Sequence, residues 1–354
     1  MDGTSIQNEV ILGVDTHLDT HVGVVINRQG KVIGTLASIP TNAAGYLKLL
    51  TWARSFGNVR RAGVEGTGTY GAGLARLLHE QGIEVWEINR PDRAKRRLRG
   101  KSDPTDAESA ARTVLSGNAT ATPKLQSGVA EALRTLSVAR RSAVKARTQA
   151  INQLRSLLIS APDDLRERLW KTQPEQCVAG CARLRNVEGN ILLKTLTATL
   201  RLLAKRWLML SVELKELDAT LDRLTSQSAK RLRNQFGVGP HTAAILIAVA
   251  GDNPERLRNE AALAALCGAS PLQASSGKTA RHRLNRGGDR SANNALWTIA
   301  MVRMRSEPRT QAYVMRRTAQ GMSNKEIQRC LKRYIVRELY PIILADLSDA
   351  VTIT

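Results

Sequence analysis

Apolar and polar positions along the first 90 residues form short blocks separated by turn residues, which predicts strands followed by strand–helix alternation. VILGV is a continuous apolar run of buried-strand length, and HVGVVIN is a second β-rich run. The predicted elements are strands at 10–14, 21–27 and 30–39, a helix near 42–55, a strand at 60–66, a helix at 71–82 and a strand at 83–89. This order, with a helix after it, predicts a mixed sheet flanked by helices.

The middle of the chain has a helical pattern of apolar residues. Residues 125 to 160 are predicted helical, and a heptad pattern follows with alternating spacings of four and three. Its members are Leu196, Leu200, Leu203, Trp207, Leu210, Leu214, Leu217, Leu221 and Leu224. This pattern indicates a coiled coil with the 125–160 helix, with another protomer, or with both. A helical hairpin within one chain also explains it.

From about residue 229 the pattern changes to short helices with glycine turns. FGVGPHTAAILIAVAGD, residues 236 to 252, resembles a helix-hairpin-helix turn that approaches phosphate, and an ordinary glycine turn between helices fits it equally. Further on, Ser323 and Glu326 predict a capping box before a basic amphipathic helix. A surface helix without a specific role is favoured there over a helix that recognises DNA bases.

The net charge of +22 over 354 residues points to a polyanionic partner, above all nucleic acid. Up to residue 122 there are 15 Lys+Arg against 12 Asp+Glu, and the remainder has 38 against 19, so the later part carries most of the excess. Aromatic residues make up only 3%, so Arg and Lys on phosphate are expected to dominate over base stacking. The absence of an apolar run of about 18 residues and of a signal-peptide pattern predicts a cytosolic protein without a membrane span.

Two acids, Asp103 and Asp106, lie in KSDPTDA directly after the basic run RPDRAKRRLRGK. One interpretation is capping, with Asp103 at the N-cap, Pro104 at N1 and Asp106 at N3 of a helix. The other is a metal site, because Asp15 and Glu65 each directly follow an apolar strand. Four such carboxylates could hold two Mg²⁺ ions for phosphoryl transfer. The cations that would attract phosphate to this edge are Arg93, Lys95, Arg96, Arg97, Arg99 and Lys101.

The order Asp15, Glu65, Asp103, Asp106, with the flanks GVDTH, GVEGTGTY and KSDPTDAESAAR, resembles the RuvC-like domain of the DEDD transposases of bacterial insertion sequences. These are regarded as recombinases guided by a bridge RNA. The segment CGASPLQASSGKTARHRLNRGGDRSANNALW, residues 267 to 297, is similar to the family's C-terminal transposase domain. One departure is that Thr16 and His17 follow Asp15, where many relatives have a small residue and Ser or Lys.

The resemblance implies a serine nucleophile that forms a phosphoserine link to DNA. Ser276 aligns best with the family's serine before Gly-Lys, and Ser275 is the second candidate. By chemistry alone SSGK is a weak turn motif, but cations surround it that could stabilise a charged transition state. These cations are Lys278, Arg281, Arg283, Arg286 and Arg290.

The architecture implied is a RuvC/RNase H-like α/β domain at 1–122, a helical coiled-coil segment at 123–228 and a mainly α transposase domain with the catalytic serine at 229–354. The implied partners are double-stranded DNA, a non-coding guide RNA and further copies of the chain, as a dimer or tetramer joined through the coiled coil. The implied location is the bacterial cytoplasm, at the nucleoid. Two alternatives remain: a structure-specific endonuclease of the Holliday-junction type, and a non-enzymatic nucleic-acid-binding scaffold whose acids are only caps.

Overall fold

The structure, a computed structural model, describes residues 9–88, 102–185, 190–275 and 282–351. The chain divides into two compact units. One comprises Met1–Gly128 with Gly251–Arg256, and the other comprises Val129–Ala250 with Leu257–Thr354. The three-part division made from the sequence stays a prediction.

The first unit contains a mixed sheet with helices on both faces, as the hydrophobic pattern predicted. Its elements are β1 Glu9–Thr16, β2 Thr20–Asn27, β3 Val32–Pro40, α1 Ala43–Arg54, β4 Asn58–Glu65, α2 Ala72–Glu80, β5 Glu84–Ile88 and α3 Asp103–Leu115. Within the described residues the sheet has the order β3-β2-β1-β4-β5. Strand β1 is central: it runs antiparallel to β2 and parallel to β4, and β5 is parallel to β4.

Side chains of β1 alternate between the two faces of this sheet, as the two-residue period of a strand requires. Val10, Leu12 and Val14 lie in the core that contains apolar side chains of α1 and α2. Ile11 lies in the opposite core, with the alanines of α3. Asp15 has the parity of Ile11, so it belongs to the α3 face of the sheet.

Two glycines in neighbouring strands let α3 lie directly against the sheet. Gly13 of β1 is paired in register with Gly63 of β4. A Cβ atom at Gly13 would lie 2.0 Å from the carbonyl oxygen of Ala107, and one at Gly63 would lie 2.7 Å from that of Ala110. A side chain at either position would therefore push α3 away from the strands whose ends carry Asp15 and Glu65.

The second unit is mostly helical in its described residues. Its helices are α4 Val129–Ile159, α5 Asp163–Leu169, α6 Pro174–Ala182, α7 Ile191–Ser228, α8 Lys230–Arg233, α9 Pro240–Ala250, α10 Glu260–Leu266, α11 Arg290–Ser306, α12 Pro308–Ala319 and α13 Asn324–Val351. The short strands β6 Leu272–Gln273 and β7 His282–Arg283 pair antiparallel.

The heptad pattern is used within one chain, where α7 packs along α4. Every seventh residue of the pattern from 200 to 221 is buried: Leu200, Trp207, Leu214 and Leu221. The alternate members, Leu196, Leu203, Leu210, Leu217 and Leu224, are half-buried. The helical hairpin therefore explains one half of the pattern completely and the other half in part.

Around α9 the second unit forms its largest core. All residues of this helix from Thr242 to Ala250 are buried, so the glycine turn before it introduces a core helix. The predicted capping box is confirmed, because the backbone N–H and the hydroxyl of Ser323 both donate to Glu326 Oε2, at 3.0 and 2.7 Å. The four cysteines all lie in described residues, and no disulfide joins any two of them. In the described residues we find no helix with the length and apolarity that crossing a membrane requires.

Candidate nuclease-type active site

Asp15 and Glu65 lie at the ends of two parallel neighbours in the sheet. Val14 of β1 pairs with Val64 of β4, so each acid comes one residue after a paired position. The hydroxyl of Thr16 donates a hydrogen bond of 2.8 Å to the carbonyl oxygen of Glu65 and ties the two strand ends together. Thr16 thus holds the two acid-bearing ends side by side.

The N-terminus of α3 differs from the sequence prediction by one residue, and the difference concerns Asp103. Ser102, with extended backbone angles, is the N-cap, and its carbonyl oxygen accepts the first helical hydrogen bond from the N–H of Asp106 at 3.1 Å. The prediction that Asp103 is the N-cap, Pro104 N1 and Asp106 N3 is therefore wrong. The residue with the extended backbone is Ser102 and not Asp103. The hydroxyl of Ser102 forms a hydrogen bond with the hydroxyl of Thr105.

The carboxylate of Asp103 is directed to the end of β1 instead. The Nε2 atom of His17 lies 3.3 Å from Oδ2 of Asp15 and 3.4 Å from Oδ2 of Asp103. This nitrogen is covered by protein and has no hydrogen bond of acceptable geometry among the described residues. One imidazole therefore lies between two carboxylates that are 88 residues apart in the chain.

Asp106 lies one helical turn further along α3 and is buried, with 7% of its surface exposed. Together with Glu65 it lines an open cavity of about 150 Å³. Glu87 of β5 lines the same cavity, as do polar residues of α3, Ser109 and Thr113. All four acids of the predicted set therefore meet at one edge of the sheet.

The electrostatics of this edge are those of crowded carboxylates. Burial raises the pKa of the Asp15 carboxyl above its ordinary value, and His17 opposes this shift. The negative charges of Asp106 and Asp103 raise that pKa further. A bound cation would relieve both the repulsion and the cost of burying an ionised Asp15.

The chemistry of these donors suits a divalent cation. Ligand atoms of Asp15, His17 and Asp103 all lie within 4.8 Å of one another. Carboxylate oxygens are the ligands that Mg²⁺ prefers, and an imidazole nitrogen extends the set towards first-row transition metals. The residues present therefore fit a hard or borderline divalent metal ion.

Sequence reasoning missed His17. The signal for His17 was its two-residue spacing from Asp15, which on a continuing strand places both side chains on one face.

The predicted serine loop lies in the second unit, and only part of it is in the described residues. Ser275 is exposed and directly precedes the undescribed stretch 276–281, which contains Ser276, Lys278 and Arg281. Arg283, Arg286 and Arg290 are exposed. The basic run with Arg93, Lys95, Arg96, Arg97, Arg99 and Lys101 also lies outside the described residues.

The base of this loop is held in one conformation. Gly268 and Gly288 both have positive φ, 61° and 84°, and a Cβ atom at Gly288 would lie 2.5 Å from the backbone nitrogen of Gly268. The Asn293 amide donates to the carbonyl oxygens of Cys267 and Gly268 at 2.9 and 3.0 Å. The two ends of the serine-bearing segment are thus fixed next to each other.

Comparison with known proteins agrees with this geometry. The family model DEDD_Tnp_IS110, described as a transposase, matches residues 12–161, which include all four acids of the predicted set. The model described as Transposase IS116/IS110/IS902 family matches residues 229–315, which include the serine loop. Among curated proteins, none matches the chain. The acidic site and the two successive family matches identify the chain as a DNA transposase that belongs to the IS110 family of the DEDD type.

Proposed function

We propose that this transposase cuts and joins DNA strands by phosphoryl transfer that depends on a divalent metal ion. The expected ion is Mg²⁺, and the residues that would hold it are Asp15, Glu65, Asp103 and Asp106. The observation that carries the proposal is the convergence of Asp15 and Asp103 on one imidazole beside the cavity of Glu65 and Asp106. Capping alone gives no reason for two acids of a helix and two acids of strands to share one edge.

The sheet order supports a RuvC-like, RNase H-like fold for the first unit. Three antiparallel strands are followed by two strands parallel to the first, and α3 lies across the centre. In this arrangement the carboxyl ends of β1 and β4 and the N-terminus of α3 meet. That is the edge at which a mixed α/β sheet ordinarily carries its ligand.

The bound metal would stabilise the charge that develops on the reacting phosphate. The chain's own part is to hold the four carboxylates in place through the Gly13 and Gly63 contacts and the Thr16 hydrogen bond. Ser276 would then attack the phosphorus atom through its Oγ. A DNA oxygen leaves with the electron pair of the broken P–O bond and takes up the proton that the serine hydroxyl loses. The resulting phosphoserine conserves the bond for rejoining to another strand.

The partners follow from the same proposal. Double-stranded DNA is the substrate, and a non-coding guide RNA would choose the sites to be joined. A dimer or tetramer would bring serine loops and acidic sites together, with the half-buried leucines of α7 available for contact between copies. We expect such a protein to work in the bacterial cytoplasm at the nucleoid, where its substrate lies.

A strand-transfer assay tests the proposal. The purified protein, the guide RNA of its element, donor DNA and target DNA are incubated with Mg²⁺, and the junctions are sequenced. We expect joined products that require the metal and fall by about 10³-fold or more in Glu65→Gln, because the metal supplies several kcal/mol to the transition state. Glu80→Gln, at the exposed end of α2, is the matched control and should leave the products unchanged. Equal activity in Glu65→Gln would contradict the proposal.

A structure-specific endonuclease is the second candidate, because the acidic edge alone would serve it. Such an enzyme would cut a four-way junction with Mg²⁺ and would leave no joined products. A scaffold without catalysis would bind DNA and leave it intact in both assays.

A further inference from the structure

A second concave surface lies in the C-terminal helices of the second unit, and the acidic site plays no part in it. Helices α11, α12 and α13 enclose an open cavity of about 570 Å³, within the range of ligand pockets. Its apolar floor includes the buried residues Leu331 and Ile335. Tyr313 of α12 and Tyr334 of α13 line its wall and meet edge to face, with ring centroids 5.7 Å apart.

Both acids that line this cavity are engaged by neighbours. Glu338 accepts two hydrogen bonds of 2.8 Å from the guanidinium of the buried Arg303, whose Nε donates to the carbonyl oxygen of Phe236. Glu307 accepts a short hydrogen bond from the hydroxyl of Thr310. Arg303 thereby links α11 to α13 beside the cavity, and its positive charge offsets that of Glu338.

The cations at the rim are much less engaged. Arg309 and Arg316 line the cavity, are exposed, and form no ion pair with any described residue. Arg316 lies 5.5 Å from the centroid of the Tyr313 ring. From residue 308 to 337 the chain has eight Lys or Arg and one acid, Glu326.

Planar rings and guanidinium groups at a cationic cavity match the chemistry of an unpaired nucleotide. A base stacks on tyrosine and on arginine planes, and arginines at the rim bind its phosphates. A paired duplex hides its base faces and would need no aromatic wall. Half of the surface of Tyr334, 51%, is exposed, so its ring is within reach of such a base.

We propose that the cavity between α11, α12 and α13 binds an unpaired nucleotide of a single-stranded nucleic acid, which stacks on Tyr334 while Arg309 and Arg316 bind phosphate. The low aromatic content of the whole chain predicts that bases stacked on aromatic side chains are not its main way of binding nucleic acid. Here two of its five tyrosines come together within one cationic cavity. This surface goes beyond the proposed cutting and joining, and it requires no metal.

Fluorescence anisotropy with the full chain in EDTA tests this surface separately from catalysis. The probes are labelled oligo(dT), labelled oligo(U) and a blunt duplex of equal length, titrated at one fixed salt concentration. We expect Tyr334→Ala to weaken the binding of at least one single strand by about tenfold, the effect of losing one stacked base, and Tyr334→Phe to stay within about twofold. Arg316→Gln should weaken single-strand binding and reduce its salt dependence by about one phosphate contact. A difference between oligo(dT) and oligo(U) tells whether DNA or RNA is the occupant.

Trp170→Ala is the matched control, because Trp170 is also partly exposed and lies under an arginine, Arg155, but outside the cavity. It should leave binding unchanged. Unaltered single-strand binding in Tyr334→Ala would overturn the inference. So would an equal loss for the duplex, or competition by poly-glutamate as strong as by oligonucleotide. A melting temperature of Tyr334→Ala within about 2 °C of the parent shows that the fold is retained.

Discussion

At the scale of single residues, the position of Asp103 distinguishes the capping and metal interpretations. The sequence pattern assigned it to the N-cap, but Ser102 takes that place and leaves the Asp103 carboxylate beside His17. Asp106 is buried at the same edge. We therefore attribute the two acids to the site and only secondarily to the start of the helix.

Replacing Asp106 by asparagine should preserve the fold and abolish strand transfer. A lost cap or dipole contact costs about 1 kcal/mol, whereas the loss of a metal-binding carboxylate removes several kcal/mol from the transition state. The measurement is the yield of joined DNA beside the thermal melt of the same preparation. The control for a changed helix terminus is Asp163→Asn, because Asp163 is an exposed residue in the first turn of α5. A normal yield from Asp106→Asn would refute its role in the site.

His17 should bias the site towards Mn²⁺, because its Nε2 adds a nitrogen donor between Asp15 and Asp103. In calorimetric titrations we expect His17→Ala to weaken Mn²⁺ binding by about tenfold and Mg²⁺ binding by less than about threefold. The exposed His79 of α2 provides the control substitution, His79→Ala. If both metals lost affinity equally, His17 would act only by orienting the acids.

How far the site could be predicted differs from residue to residue. Asp15 and Glu65 could be found because each ends an apolar run, and their parity along the strand fixes their face. The contact of His17 with Asp103 could not be found, because it depends on how closely α3 approaches β1. That distance is set by the contact of Gly13 with the backbone of Ala107, 94 residues away, and it leaves no local periodicity.

At the scale of elements, the strand and helix order of the first unit followed from the hydrophobic pattern, and the structure confirms it. The heptad pattern correctly predicted a long paired helix, but it could not choose between partners. Apolar spacing specifies that one face of α7 is covered, and α4 covers it within the same chain. The half-buried alternate leucines are the part of the pattern that a second copy could still use.

The close packing of α3 on the sheet gives an element-scale prediction. Gly13→Ala should destabilise the first unit by about 1–3 kcal/mol or more, because the new methyl group meets the backbone of α3 at 2.0 Å and cannot be accommodated by a rotamer change. It should also weaken metal binding by shifting Asp103 and Asp106 away from Asp15. The matched variant is Gly68→Ala, since a Cβ atom there meets nothing within 4 Å. Equal melting temperatures for the two variants would contradict the packing argument.

At the scale of the whole molecule, the charge and the chemistry belong to different parts of the chain. The carboxylates lie in the nearly balanced first third, and most of the excess positive charge lies after residue 122. The two family matches follow the same division, one over the acids and one over the serine loop. On the proposed function each unit would be insufficient alone, because the first would bind the metal and the second would bind nucleic acid and supply the nucleophile.

The most direct test of this account is a search for DNA covalently attached to the protein. The protein is incubated with Mg²⁺, guide RNA and matched labelled DNA, and the products are separated on a denaturing gel. We predict a protein–DNA adduct that persists in Ser275→Ala and disappears in both Ser276→Ala and Asp106→Asn. Cleavage with no adduct in the parent protein would contradict the serine mechanism and leave a metal-dependent endonuclease in its place.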